Sequence, residues 1–399
     1  MAMKKDPNDE RMARLLVLCA RLRPEPEALT EARGLLAQGV DWASLLRRAE
    51  EEGVLPLLYW NLKDLPGAVP PDVLERLKLG YLRSLARNSQ ISKKLEPFLG
   101  AVKEAGLEVV LTKGPRLALL AYPDMALRPF WDVDFVVPPA AWPAVAGILS
   151  RLGFEEAWAG GAGPAPAVAD LDWTYSPYFR KGDLVLEFHF NTFGLHFPTR
   201  SPRVWKWRPR PRPMPFRGTE ALVFPPEAEL CYLCLHAQQH SYQRLIWLVD
   251  IAEMASRRDL DWDKVGEICA RLKVHAPVFQ GLCLADALWP DTVPRAVLSR
   301  LRPGRLTRRA LRFFWPAADV ARRRTPFAWP YYMPTLFSLW ERRAPGLAAR
   351  TVHDIFFPPG PWLAGARKRP ERSARLYFQY ARRISRPFGL AARRLVKMR

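Results

Sequence analysis

Disulfide chemistry is the first thing this sequence lacks. Its five cysteines, Cys19, Cys231, Cys234, Cys269 and Cys283, are an odd number at no framework spacing. That pattern reads as a reduced, cytoplasmic protein, not a stapled secreted one. A secretory leader is not expected either. Met1 to Glu10 is polar, and the apolar stretch Leu15 to Cys19 is short and flanked by arginine. The longest apolar tract, Phe327 to Trp340, is broken by two prolines and is too short to span a bilayer, so no transmembrane segment is expected. Walker A and Gly-x-Gly-x-x-Gly patterns are both absent, which removes support for P-loop and Rossmann folds. With six histidines, no Ser/His/Asp or Cys/His hydrolase arrangement stands out.

Acid is scarce at one end. Residues 301–399 hold 23 of the 61 Lys and Arg but four of the 40 Asp and Glu, so most of the +21 net charge sits in this last quarter. A smaller basic cluster, Arg200 to Arg217, interleaves arginine with Trp205, Trp207 and prolines. The basic quarter has three readings: RNA or DNA binding with aromatic stacking, contact with anionic lipid, or the solvated surface of a packed helical region. What the chain has in plenty is apolar material, 49% of residues with 15 Trp, enough for a substantial core in two or three compact units.

Helical periodicity dominates residues 11–100. Met12 to Leu22 is amphipathic, Glu27 to Ala37 follows two prolines, Asp41 is placed to cap Trp42 to Glu52, and Pro71 opens a helix to about Leu99. The pattern changes at Gly106. Leu107 to Thr112 reads as a strand, Pro115 to Ala121 as a helix, and Ala140 to Leu152 as a helix closed by Gly153. Trp173 to Phe179 and Asp183 to Phe190 read as strands joined at Lys181-Gly182, after a Gly-rich loop at 160–166. From Pro226 helices return: Glu227 to Gln239, Gln243 to Arg257, Trp262 to Leu272 and Ala276 to Leu288.

Chemistry concentrates in Arg128-Pro-Phe-Trp-Asp-Val-Asp-Phe-Val-Val137. Residues two apart on a strand share a face, so Asp132 and Asp134 project together while Val133, Phe135 and Val137 pack opposite. Two carboxylates on one edge repel unless a cation lies between them, and hard oxygen ligands suit Mg²⁺ acting on phosphates. A turn could carry Asp-x-Asp instead, but the apolar β-branched flanks disfavour it. In Leu184-Val-Leu-Glu-Phe-His-Phe190, Glu187 and His189 share one face. Glu187 would give a third carboxylate, as two-metal catalysis needs, or would simply face solvent on an edge strand. Lys113-Gly114, between strand and helix, could cradle phosphate or be an ordinary turn.

The stretch Cys231-Tyr-Leu-Cys234-Leu-His236-Ala-Gln-Gln-His240 resembles a zinc pattern but fails as one. At about 100° per residue the cysteine pair and the histidine pair face nearly opposite directions on a helix. The cysteines read as core. His236 and His240 share a face that could reach an active site or a buried partner.

Taken together, the motifs resemble an uncharacterised bacterial nucleotidyltransferase family of the polymerase-β-like superfamily. The resemblance lies in Leu111-Thr-Lys113-Gly114, Tyr122-Pro-Asp124, Arg128-Pro, Asp132-Val-Asp134-Phe-Val-Val, Glu187-Phe-His189, His236 to His240, and Arg244-Leu-Ile-Trp247-Leu-Val-Asp250, with Val54-Leu-Pro-Leu-Leu-Tyr59 upstream. It runs to about residue 290 and weakly beyond. Thr112 and Pro115 beside the Lys113-Gly114 pair depart from the pattern.

The resemblance implies an α+β fold, a small mixed-sheet nucleotidyltransferase core flanked by N-terminal and C-terminal helical regions. The expected parts are 1–100 helical, 101–217 the core, 218–290 a helical domain closing the cleft, and 291–399 basic and mainly helical. It implies two Mg²⁺ ions on Asp132, Asp134 and Glu187, with an NTP, ATP first, as substrate. Lys113 and Gly114 would hold phosphates, with Arg128 and His189 contacting phosphate or orienting a carboxylate. His236, His240 and Asp250 would line the cleft, although a helix cap also accounts for Asp250. The acceptor hydroxyl would belong to a small molecule, sugar or peptide. The alternatives are a tRNA end guided by residues 301–399, or a non-catalytic nucleic-acid- or membrane-binding protein on the same fold.

Overall fold

Proline and capping residues punctuate the first helices. In the computed structural model, which describes residues 7–156, 177–190 and 209–321, the chain begins with α1 (Pro7–Leu18), α2 (Pro26–Ala37), α3 (Trp42–Glu51) and α4 (Leu55–Leu62). The Ser44 amide donates to Asp41 Oδ1 at 3.1 Å, the cap the sequence predicts. Gly53, at φ 73°, then turns the chain into α4, which starts with Pro56 in its first turn. The long α5 (Pro71–Glu104) crosses α4 closely at Gly80, where a Cβ would lie 2.0 Å from a Leu55 methyl. A larger residue there would displace the Leu55 side chain from this contact.

Seven strands form one mixed sheet: β1 (Val110–Thr112), β2 (Val133–Val136), β3 (Glu155–Glu156), β4 (Tyr178–Lys181), β5 (Leu184–His189), β6 (Arg212–Phe216) and β7 (Thr219–Val223). Their spatial order is β3-β4-β5-β2-β1-β7-β6. The central strand β2 runs antiparallel to β1 and parallel to β5. Its register sets Asp134 beside Thr112 on one flank and beside Glu187 on the other. Between these strands lie α6 (Gly114–Leu120) and α7 (Trp142–Arg151).

Strand alternation gives the sheet two different faces. On one, Val133, Phe135, Leu186 and Phe188 join Phe98 of α5 and Trp142 of α7 in an aromatic core. The Phe135 and Phe188 rings stack at 5.4 Å, and Phe98 meets each edge-on. The other face carries Asp134, Glu187 and His189, and is roofed by α8 (Pro226–Gln239) and α9 (Leu245–Ala255). Behind these pack α10 (Trp262–Leu272), α11 (His275–Leu288), α12 (Arg295–Arg300), α13 (Arg305–Phe314) and α14 (Ala317–Ala321). Their core merges with that of α1 to α4.

Some expectations shift. The strand expected over 107–112 forms only at Val110–Thr112, and Asp132 stands just before β2 instead of inside it. The expected boundary at 217 falls within the β6–β7 hairpin, and β7 carries the sheet on by pairing with β1. Residues 173–176 of an expected strand, the loop at 160–166, part of the 200–217 basic cluster and the basic segment from 322 onward lie outside the described residues. Every described cysteine is a free thiol, and no helix among the described residues is long and apolar enough to cross a membrane.

Candidate active site

Helix α5 delivers the site. Its Ser84 hydroxyl donates to the Ala126 carbonyl at 2.7 Å, and its Asn88 amide donates to the Met125 and Arg128 carbonyls at 2.6 and 3.0 Å. Tyr81 donates to Asp124. These bonds satisfy an irregular backbone that would otherwise be buried unpaired, and they fix the path from Asp124 into β2. Arg128, at the middle of that path, forks onto Asp250 of α9 with contacts of 3.0 and 2.7 Å. The Tyr122 hydroxyl donates to the same carboxylate at 2.7 Å. Burial alone would oppose the Arg128 charge, but Asp250 reverses that and holds its pKa above the ordinary value.

A second buried support holds the turn after β1. Lys113 adopts φ 52° and ψ −126°, an unfavourable conformation for a residue with a side chain. Its amide donates to Glu229 Oε1 of α8 at 3.0 Å, and Glu229 also lies 3.6 Å from Arg116. Gly114 is required next: a Cβ there would meet Phe130 Cβ at 2.9 Å. Glu229 is fully buried, and desolvation holds its pKa up despite Arg116.

These supports bring the chemistry together. Asp134 Oδ1 lies 2.5 Å from Lys113 Nζ and 2.8 Å from His189 Nε2, and His189 Nε2 lies 3.7 Å from Glu187 Oε1. Burial would neutralise Asp134, but Lys113 and the His189 hydrogen bond overcome it and keep the carboxylate well below its usual range. Lys113 is correspondingly raised, because Asp134, Tyr232 and Glu187 outweigh its own desolvation. Asp132 behaves oppositely: desolvation and the neighbouring Asp134 push its pKa up. Two neighbouring carboxylates repel each other, so a cation between Asp132 and Asp134 would stabilise both. One ligand atom each from Asp134, Glu187 and His189 can be drawn within 4.8 Å of one another, a donor set able to hold a metal ion. Tyr178, opposite Glu187 in the β4–β5 ladder, hydrogen-bonds it, and burial together with that carboxylate raises the phenol's pKa.

All of this opens into a cleft of about 450 Å³. Lys113, Gly114, Arg128, Asp132, Asp134, Glu187 and His189 line its sheet side, and His236 and His240 line its helical side. Asp250 lies behind the lining, spent on Arg128 and Tyr122. Cys231 and Cys234 face the core, away from the histidines. Sequence reasoning missed Tyr178, Tyr232, Trp131 and the supporting Glu229 and Arg116. The apolar context of Glu229, in Pro226-Glu-Ala-Glu-Leu-Cys, was a signal for it, since a carboxylate inside a buried helix needs a partner.

Comparison with known proteins yields one finding. The family model described as an uncharacterised nucleotidyltransferase matches residues 38–290, more than half of the chain and all of the described cleft. No curated protein and no solved structure matches the chain.

Proposed function

The chain belongs to this uncharacterised nucleotidyltransferase family, and on that premise we propose that it moves an NMP, from ATP first among the NTPs, to a hydroxyl of a small molecule, sugar or peptide in a Mg²⁺-dependent reaction. The observation that carries the reading is the Asp134–Glu187–His189 group beside Lys113 at the base of an open cleft. Its two carboxylates, with Asp132 at the rim, form a hard donor set suited to Mg²⁺. Asp132 and Asp134 would hold one ion and, with Glu187, a second. Bound ions of this kind neutralise the triphosphate and stabilise the attacking and leaving oxygens.

The chain's own residues have defined tasks in this scheme. Lys113 and the Gly114 backbone hold the β- and γ-phosphates. Glu187 takes the proton of the acceptor hydroxyl, whose oxygen attacks the α-phosphorus in line while pyrophosphate leaves. His189 orients Asp134, Tyr178 orients Glu187, and Arg128 acts through the loop that leads to Asp132.

The test is incubation with each labelled NTP, Mg²⁺ and total cell extract. Wild type should move label into a product, and a variant carrying Asp132→Asn and Asp134→Asn should not. Equal transfer by both would sink the catalytic reading. A second acceptor, an RNA end, is favoured by one observation: α13 exposes Arg305, Arg309 and Arg312. In that case the label would appear in the RNA fraction.

A further inference from the structure

The cleft has two walls of different chemistry. Charged groups dominate the sheet side, with Asp132, Asp134 and Glu187 beside Lys113 and Arg128. On the helical side His236, His240 and Trp247 present flat, polarisable rings. His236 and His240 of α8 lie 4.7 Å apart, and each ring meets Trp247 of α9, at 5.0 and 5.2 Å. Across the mouth, the Arg244 guanidinium sits over the Trp131 ring at 5.1 Å, and Trp131 remains 39% exposed immediately before Asp132. Together the helical wall and the mouth present four rings and a guanidinium plane.

Core packing accounts for only part of this. Trp247 also packs against the helical core, but Trp131 is exposed and His236 and His240 are half-buried, and all four border the cleft. The corner between α8 and α9 is also costly. Ser241 and Tyr242 are consecutive, buried and both at φ 53°, a region that residues with side chains avoid. Such strain is kept where the surrounding structure needs a particular geometry. Here it sets His240 and Arg244, on either side of the corner, beside the cleft. The His240 pKa is lowered to about 4, by desolvation first and Lys113 second, so the ring is neutral near pH 7. A neutral imidazole has one donor and one acceptor nitrogen, which suits a polar heterocycle better than a phosphate.

We infer that this wall is a nucleobase subsite, in which a planar heterocycle stacks against Trp131 while His236 and His240 face its hydrogen-bonding edge. The inference rests on the nucleotidyl-transfer reading and deepens it. The base belongs either to the NTP or to the terminal nucleotide of an RNA acceptor. Aromatic stacking tolerates every base, because each has a π-face, so Trp131 supplies affinity and the imidazoles supply choice among bases.

Equilibrium binding to the full chain in Mg²⁺ tests this with three probes: each NTP, inorganic tripolyphosphate, and a short single-stranded RNA. Trp131→Ala should weaken NTP binding at least tenfold and leave tripolyphosphate unchanged, and Trp131→Tyr should restore most of the loss. His240→Leu should alter the ranking of the four NTPs. If Trp131→Ala weakens only the RNA, the base is the acceptor's. If wild type binds tripolyphosphate as tightly as NTP, and Trp131→Ala changes neither NTP nor RNA, the subsite is overturned while nucleotidyl transfer stands. If wild type binds none of the three, the nucleotidyl-transfer reading falls and the subsite falls with it. Circular dichroism of each variant excludes misfolding as the cause.

Discussion

Glu187 and Tyr178 stand opposite each other on β4 and β5, and the hydroxyl of one bonds the carboxylate of the other. The two should therefore fail differently. Glu187→Gln removes the proposed proton acceptor, and one charge from the proposed ion site, while keeping the shape, and the single-turnover rate at saturating NTP should fall by roughly 10²–10⁴. Tyr178→Phe removes one orienting hydrogen bond, of about 1 kcal/mol, and should cost roughly fivefold. Equal losses in the same assay would mean that Tyr178 does more than orient. At this scale the sequence was legible wherever a charge interrupted an apolar run: Asp132, Asp134 and Glu187 stand out for that reason. Tyr178 was not legible, because an aromatic residue on a strand looks like core, and only the register with β5 turns it toward the site. Trp131 was hidden in the same way.

The element that most depends on long-range pairing is the lead-in to β2. Arg128, Tyr122 and Asp250 are all buried, and Asp250 satisfies both of the others. Asp250→Ala would leave an uncompensated buried guanidinium and should destabilise the protein by about 3–5 kcal/mol, read as a lowered urea midpoint. The α8–α9 corner gives a pH prediction. Desolvation first, then Lys113, holds His236 and His240 below the ordinary imidazole value, His240 at about 4. As pH falls below about 6.5 the unfolded chain takes up these protons before the folded one. The contribution is therefore fully present above that value and is lost as pH falls from there to about 4, on the order of 3 kcal/mol for His240. Urea titrations of wild type and His240→Gln between pH 7 and 4 should show a shallower slope for the variant; parallel slopes would contradict the shift. Elements were legible where period and caps agreed, as at Asp41 and in α8 to α11. The β6 strand was not, because Pro213 and Pro215 argue against a strand. Its edge position in the sheet order removes the objection, since prolines there interrupt no second ladder.

Charge is a property of the whole molecule, and here its distribution separates two acceptors. The cleft lies in a chain segment whose acids and bases nearly cancel, while residues 301–399 carry most of the excess. Within the described part of that segment, Arg305, Arg309 and Arg312 recur at helical spacing and form one exposed stripe on α13. Nearby Arg308 shows the crowding: burial, then repulsion from Arg302, Arg312 and Arg305, lowers its pKa. Such a stripe gains free energy from a polyanion by releasing its counterions, and a small neutral acceptor would draw nothing from it. If RNA is the acceptor, the logarithm of the binding constant should fall linearly with the logarithm of salt concentration. Each phosphate contact contributes about 0.7 to that slope for a single strand, so replacing the three arginines together with Gln should flatten it by about 2. The three side chains are exposed, so folding stability should change little, and binding of a mononucleotide in the cleft should not change at all. A slope that stays the same in the triple variant would remove α13 from RNA binding. A wild-type chain whose RNA affinity does not depend on salt would leave the small-molecule, sugar or peptide hydroxyl as the acceptor to pursue.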